Sequence, residues 1–303
     1  MVSTRRNQLW ENMLKAADTF TDAFIPQFDP KSLFHYTSAA GLKSILESQK
    51  LRFTHYAYLN DYTELQYICS VVKECLDDLK SETPELYKLY RADHEESFDK
   101  KLSRLISSMD VYVASFSLVC DKLNMWTYYT KDESAEGYCI EFESFYFSRR
   151  MQELNEEISL RPCFVIYDKA KQKSVVSSCL KIMEGSITSV DELTPEQKGK
   201  MHEAFFNMLR FYAPAFKHEA FADEQECRII CTSPSPDFVL TRTKKGHIVP
   251  YLELSYDRDK VKSITCSPTL YQCPVEIGLH ALLSANGLPS CEIKRSGIPF
   301  RSN

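Results

Sequence analysis

The sequence predicts an α+β fold, and three observations carry that prediction. Short runs rich in Val, Ile, Tyr and Phe recur from residue 33 to residue 295. Longer segments with helical spacing of apolar residues lie between them. No internal repeat or low-complexity stretch interrupts the pattern, and 8 Gly in 303 residues leave little material for flexible linkers. The arrangement is that of one sheet-centred domain over residues 30–303, preceded by an N-terminal segment over 1–29.

The elements follow in order. Trp10, Met13, Leu14, Ala17 and Phe24 predict an amphipathic helix over residues 7–25, a surface for a partner protein or for self-association. Leu33 to Tyr36 reads as a buried strand, and Thr37 or Ser38 caps the helix that follows it. Leu51 to Thr54 is the next strand. Asp61, three residues before Glu64, resembles a capping box at the start of a helix over 62–80. With a second helix over 85–108 it forms a helical insertion spanning about 62–108. Strands are expected at Val111–Phe116, Gly137–Phe142, Cys163–Tyr167, Glu226–Cys231, Ile248–Leu254, Val261–Cys266 and 291–295. Helices are expected at 122–130, 144–158, 170–183, 196–212 and 274–286.

Composition excludes several classes. A net charge of -5 argues against a global attraction to nucleic acid or anionic membrane. No run approaches the ~18 consecutive apolar residues of a membrane span. The N-terminus has two arginines but no apolar core segment, so it does not read as a secretory signal. The 11 cysteines are scattered, odd in number and never paired as C-x-x-C, which fits reduced thiols and a cytoplasmic protein. Cys227 and Cys231 share a strand face and read as buried small hydrophobes. The basic runs at Lys169 to Lys173 and at Arg242, Lys244 and Lys245 read as solvated surface. There is no P-loop, no G-x-G-x-x-G, no H-E-x-x-H and no EF-hand loop.

Three segments carry candidate chemistry. In LFHYTSAAGLKSILESQKLRF, His35 sits in an apolar strand followed by small hydroxyl residues and a helix. In VYVASFSLVCDKLNMWTYYT, a strand ending in Ser115 and Ser117 precedes a helix with Trp126, Tyr128 and Tyr129. In KHEAFADEQECRII, period-two alternation puts Glu224, Glu226 and Arg228 on one strand face. Carboxylates entering a strand beside an arginine are costly if buried unpaired, so they form either a surface salt bridge or a catalytic group.

These segments resemble the His-Tyr-Glu class of ADP-ribosyltransferases. That resemblance implies a split, mostly antiparallel sheet surrounded by helices, with NAD as substrate. It places His35 on a ribose hydroxyl, Tyr128 or Tyr129 against nicotinamide, and Glu226 beneath the sugar whose C–N bond breaks. The cofactor-binding set is then His35, Tyr36, Thr37, Ser115, Ser117, Tyr128 and Tyr129, with Asn60, Asp61, Trp126 and Arg228 as secondary candidates. The Glu-x-Glu spacing also resembles arginine-modifying transferases, which implies an acceptor role for Glu224. HYTS, NDYTE, SFS…MWTYY…EGYCIEF, KHEAFADEQECRII and SGIPFR, in that order, resemble the bacterial domain-of-unknown-function family two-nine-seven-one. Phe221 and Cys227 depart from that family's pattern, where tryptophan is expected, at packing positions.

The expected function is NAD-dependent ADP-ribosyl transfer or NAD hydrolysis, in a bacterial toxin or phage-defence effector, with protein or nucleic acid as acceptor and no metal. Two alternatives stand beside it. One is a metal-dependent nuclease using Glu141, Glu143, Glu224 and Glu226. The other is a non-catalytic module that binds nucleotide or protein.

Overall fold

A computed structural model describes residues 30–61, 63, 65–91, 98–129, 137–144, 160–184, 189–232, 234–244, 246–270 and 272–299. The helix expected at 7–25, and all but the first residue of the one expected at 144–158, lie outside these residues. The chain divides into two compact units. One is helical and includes Asn60–Met109 and Val165–Glu219; the other contains the sheet and comprises Phe28–Leu59, Asp110–Phe164 and Ala220–Asn303.

In the helical unit, helices span Tyr67–Glu82, Pro84–Arg91, Phe98–Ser107, Lys169–Glu184 and Pro195–Tyr212. The last begins at a capping box in which the Thr194 side chain accepts from Gln197 N and the Gln197 side chain accepts from Thr194 N. The capping box expected at Asp61 is corrected here. The helix starts at Tyr67, and Asp61 Oδ1 instead accepts from Thr63 N and Thr63 Oγ1 at 2.8 and 2.6 Å. A local Asx turn competes with capping because both use the same carboxylate oxygen.

The sheet unit is built from β1 (Ser32–Ser38), α1 (Ala39–Ser48), β2 (Lys50–His55), β3 (Val111–Ser117), α2 (Leu123–Tyr129), β4 (Gly137–Glu143), β5 (Leu160–Phe164), β6 (Glu226–Thr232), β7 (Leu240–Lys244), β8 (His247–Ser255), β9 (Val261–Cys266), α3 (Gln272–Ala285) and β10 (Glu292–Arg295). Strand β7 has no sequence forecast, because Thr, Arg and Lys at an exposed edge leave no apolar period. The sheet is mostly antiparallel, in the order β10-β9-β4-β1-β3-β2-β8-β7; β9 and β10 are the parallel pair. It forks at β3. The Ser117 end of β3 pairs with β1, its Val113 and Tyr112 end pairs with β2, and β6 runs along its whole length. The fold is α+β, as predicted.

Alternation gives the sheet two different faces. One carries Leu33, Phe53, Phe116, Phe142, Cys227 and Ile264 into the main apolar core, covered by Leu42 and Leu46 of α1 and Leu279 and Leu283 of α3. The other carries a smaller cluster of Tyr36, Cys139, Met125 and Trp126 amid polar groups. Of the two forecast caps for α1, Ser38 is the one used: its Oγ accepts from Gly41 N at 3.2 Å. Thr37 is buried instead, with its Oγ1 2.0 Å from where a Cβ on Gly41 would stand, so that glycine is required by close approach.

Candidate active site

The polar face is assembled where β3, β6 and α2 meet. Ser117 pairs with Glu226 and Ser115 with Arg228 across the β3–β6 ladder, so all four project from one side. Arg228 is fully buried, and its guanidinium forks onto Glu226: Nε donates to Oε1 at 2.9 Å and Nη2 to Oε2 at 2.8 Å. A bidentate pair of this kind satisfies both charges away from water.

Glu224 reaches the same place by a different route. Gln225, between the two carboxylates, has φ +41°, a left-handed turn unusual for a residue with a side chain. Its carbonyl accepts from Leu118 N at 2.9 Å, and the Glu224 carbonyl accepts from the buried Ser117 Oγ at 2.8 Å. Glu224 thus closes the 3-10 segment Glu219–Glu224 and Glu226 opens β6, with the left-handed Gln225 between them. Tyr129 Oη donates to Glu224 Oε1 at 2.7 Å, and Asn124 Nδ2 donates to Asp223 Oδ2 at 2.8 Å. Helix α2 is thus tied at both ends to the segment entering β6. Tyr128 points outward and is 66% exposed.

Trp126 is a core residue. It meets Tyr36 edge-on at 4.8 Å, and its indole donates to Asp121 Oδ1 at 2.8 Å. Tyr36 donates to Val119 O and accepts from Lys122 N, and burial pushes its phenol up. Asp121 also accepts from Ser296 Oγ and Gly297 N at 2.5 and 2.7 Å. It is the residue that sequence reasoning missed. It ties Ser296 and Gly297, where the SGIPFR motif begins, to Trp126 of α2, and its φ of +60° is the kind of position that Asp tolerates. Its partners lie at residues 126 and 296–297, so no local pattern marks it.

His35 does not join this group, and the expected convergence of His35 with Glu226 on one face is corrected. Phe34 pairs with Ser117, which pairs with Glu226, so the neighbouring His35 starts from the opposite face, the side of Leu33 and Ile140. Its Nδ1 bonds the Ser115 carbonyl at 3.0 Å, at the fork where β1 leaves β3, and its ring lies 5.7 Å from Phe116. Burial lowers its pKa, partly offset by the Ser115 carbonyl. Asn60, exposed, and Asp61, buried, belong to the helical unit.

Glu141, on β4, accepts from Ser32, Ser263 and Lys294 at 2.8, 2.6 and 3.0 Å. Burial raises its pKa, but these donors outweigh it and the net shift is downward. Beside it Cys120 Sγ lies 3.4 Å from Thr265 Oγ1, and the Cys139 thiol draws Cys120 down to about 7. Among the described residues no three His, Cys, Asp or Glu side chains gather closely enough to hold a metal ion. The four-carboxylate cluster of the nuclease alternative is therefore not assembled: Glu141 is held by Lys294 and serines, Glu226 by Arg228. Cys227 and Cys231 are fully buried free thiols, as their spacing implied. Among the described residues no helix is long and apolar enough to cross a membrane.

The segment that holds α2, β4, β5 and the Glu224–Arg228 turn is also the segment with a family match. Residues 125–229 match the model described as a protein of unknown function (DUF2971). Over that span the chain is similar to the DUF2971 family. The matched segment contains Tyr129, Glu224, Glu226 and Arg228, while Asp121 lies just before it and its partner Ser296 far beyond it. No curated protein and no solved structure matches the chain.

Proposed function

We propose that the sheet unit cleaves the nicotinamide–ribose bond of NAD, as an ADP-ribosyltransferase or NAD glycohydrolase. The observation that carries this reading is the Tyr129–Glu224 hydrogen bond beside the Glu226–Arg228 fork. It joins a helix tyrosine to the carboxylate two residues before Glu226, which supports reading the two carboxylates as one site. Cleavage of the C–N bond sends its electron pair to nicotinamide and leaves oxocarbenium character on the sugar. Glu226, fixed in orientation by Arg228, supplies negative charge where that positive charge develops. Water or an acceptor nucleophile then bonds to the anomeric carbon and loses its proton. Glu224, held by Tyr129, is the group placed to take it. Tyr129 is the site tyrosine in this reading, not the outward-facing Tyr128. His35 acts from behind, as a positioning residue through the Ser115 carbonyl.

The test is calorimetric titration with NAD together with a nicotinamide-release assay on the full chain. Saturable binding with release is expected. Binding without release under all conditions favours the binding-module alternative, and no binding overturns the NAD reading.

A further inference from the structure

The strands β2, β8 and β7 form the far end of the sheet, and one face of them carries an unusual charge distribution. Register puts Lys50 and Arg52 of β2, Tyr251 and Glu253 of β8, and Arg242 and Lys244 of β7 on that face. It is the side opposite Leu51, Phe53 and Leu252 of the apolar core. Measured along β8, Lys50 stands level with Ser255, Arg52 with Glu253, Arg242 with Val249 and Lys244 with His247. The cations therefore trace a diagonal band, ~27 Å long at ~3.4 Å per residue, with Tyr251 at its middle. The three strands hold one carboxylate, Glu253, which Lys50 and Arg52 share at 3.2 Å each.

At the centre, two guanidiniums converge on one ring. Arg52 lies 5.3 Å and Arg242 5.6 Å from the Tyr251 centroid. Their Cα atoms are about 17 Å apart, taking strand rise and spacing together, so both side chains lean inward against their mutual repulsion. Cation–π attraction to Tyr251 offsets part of that repulsion. Arg242 has Thr54 Oγ1 as its side-chain hydrogen-bond partner at 3.2 Å, and its Nε is buried with none. Burial and the neighbouring Arg52 both pull the Arg242 guanidinium down, the mark of a locally electropositive site. A guanidinium held this way is organised for an anion that supplies what Glu253 does not.

We propose that this band binds the phosphodiester backbone of single-stranded nucleic acid. A line of cations matches a line of phosphates, and planar guanidiniums packed on an aromatic ring offer stacking surfaces to splayed bases. A three-strand face whose cations lie over the buried Tyr251 suits a single strand better than a duplex, whose grooves need a helix or ribbon to enter them. The net charge of -5 for the whole chain is compatible with this, because the band is local and the rest of the surface opposes only long-range attraction. The inference stands apart from NAD cleavage and uses none of its residues.

The test is fluorescence anisotropy of a labelled single-stranded oligothymidylate of roughly 12 nucleotides, long enough for the ~27 Å band, against the full chain over a salt series. With four phosphate contacts the affinity should fall with a log–log slope near about -3. Arg242→Gln should lower the magnitude of that slope by about 0.7. Arg52→Gln with Arg242→Gln should weaken binding at least about tenfold, the equivalent of ~1.4 kcal/mol, with an unchanged circular dichroism spectrum and melting temperature. A duplex of the same length and vesicles containing phosphatidylserine serve as rival ligands. Equal binding by the double variant, or preference for duplex or vesicles over the single strand, overturns the proposal. Should the double variant misfold, Lys50→Gln with Lys244→Gln tests the outer ends of the same band.

Discussion

The two faces of the sheet are held together by different physics. On one, Phe142, Phe53 and Ile264 pack under α1 and α3, and stability there grows with apolar area removed from water. On the other, Arg228, Glu226, Glu224, Tyr129 and Asp121 are joined by directed bonds between groups that are each expensive to bury alone. The first face tolerates changes of detail and fails gradually. The second is organised pair by pair, which is how a site keeps charged groups fixed and ready.

The largest effects should be matched in size and opposed in kind. Phe142→Ala should cost about 3–5 kcal/mol through lost burial and the cavity left behind. Arg228→Met should cost a similar ~3–5 kcal/mol by leaving Glu226 buried without its cation. Adding Glu226→Gln should recover much of the second loss and none of the first. Urea denaturation of the singles and doubles measures this. Simple additivity of Arg228→Met and Glu226→Gln would break the distinction between the faces.

That distinction also explains what was legible beforehand. The strands of the apolar face announce themselves: VYVASF and ECRIIC alternate or run apolar, and their boundaries fall within a residue or two of the forecast. Glu226 and Arg228 were legible because period-two spacing fixes a shared face within one strand, whereas Glu224 precedes that strand, beyond the left-handed Gln225, and is not placed by alternation. His35 was misjudged because its face depends on register across three strands, which a single segment does not encode. Asp121 was invisible because its partners arrive from about residue 296. The edge strand β7 was missed because exposed strands have no apolar signal to read.

A smaller loss is expected at Asp121. Asp121→Ala removes the acceptor for Trp126, Ser296 and Gly297, and should cost about 1–3 kcal/mol. Trp126 emission should shift to the red as its indole loses its partner. An unchanged emission maximum and unchanged stability would mean that residues 296–298 are held without Asp121, by Ile298 packing and the Ser296 N to Cys266 O hydrogen bond.

The smallest effect concerns pH. Burial keeps His35 neutral in the folded chain, so its folded pKa lies below the ordinary 6.5. The unfolded chain therefore binds the extra proton first as pH falls. The His35 contribution is fully present above pH 6.5 and is lost as pH drops through the folded value. His35→Gln should flatten this part of the stability–pH curve. An identical slope below pH 6.5 in both proteins would show that His35 is not held neutral.

The most direct test of the polar face as a catalytic surface is nicotinamide release by Glu226→Gln beside wild type, with NAD affinity measured on the same samples. Glutamine keeps the shape and removes the charge that acts mainly when the ribose becomes cationic. The account predicts release slowed by about 10²–10³-fold with affinity nearly unchanged. Wild-type release rates from a fully folded Glu226→Gln protein would contradict it.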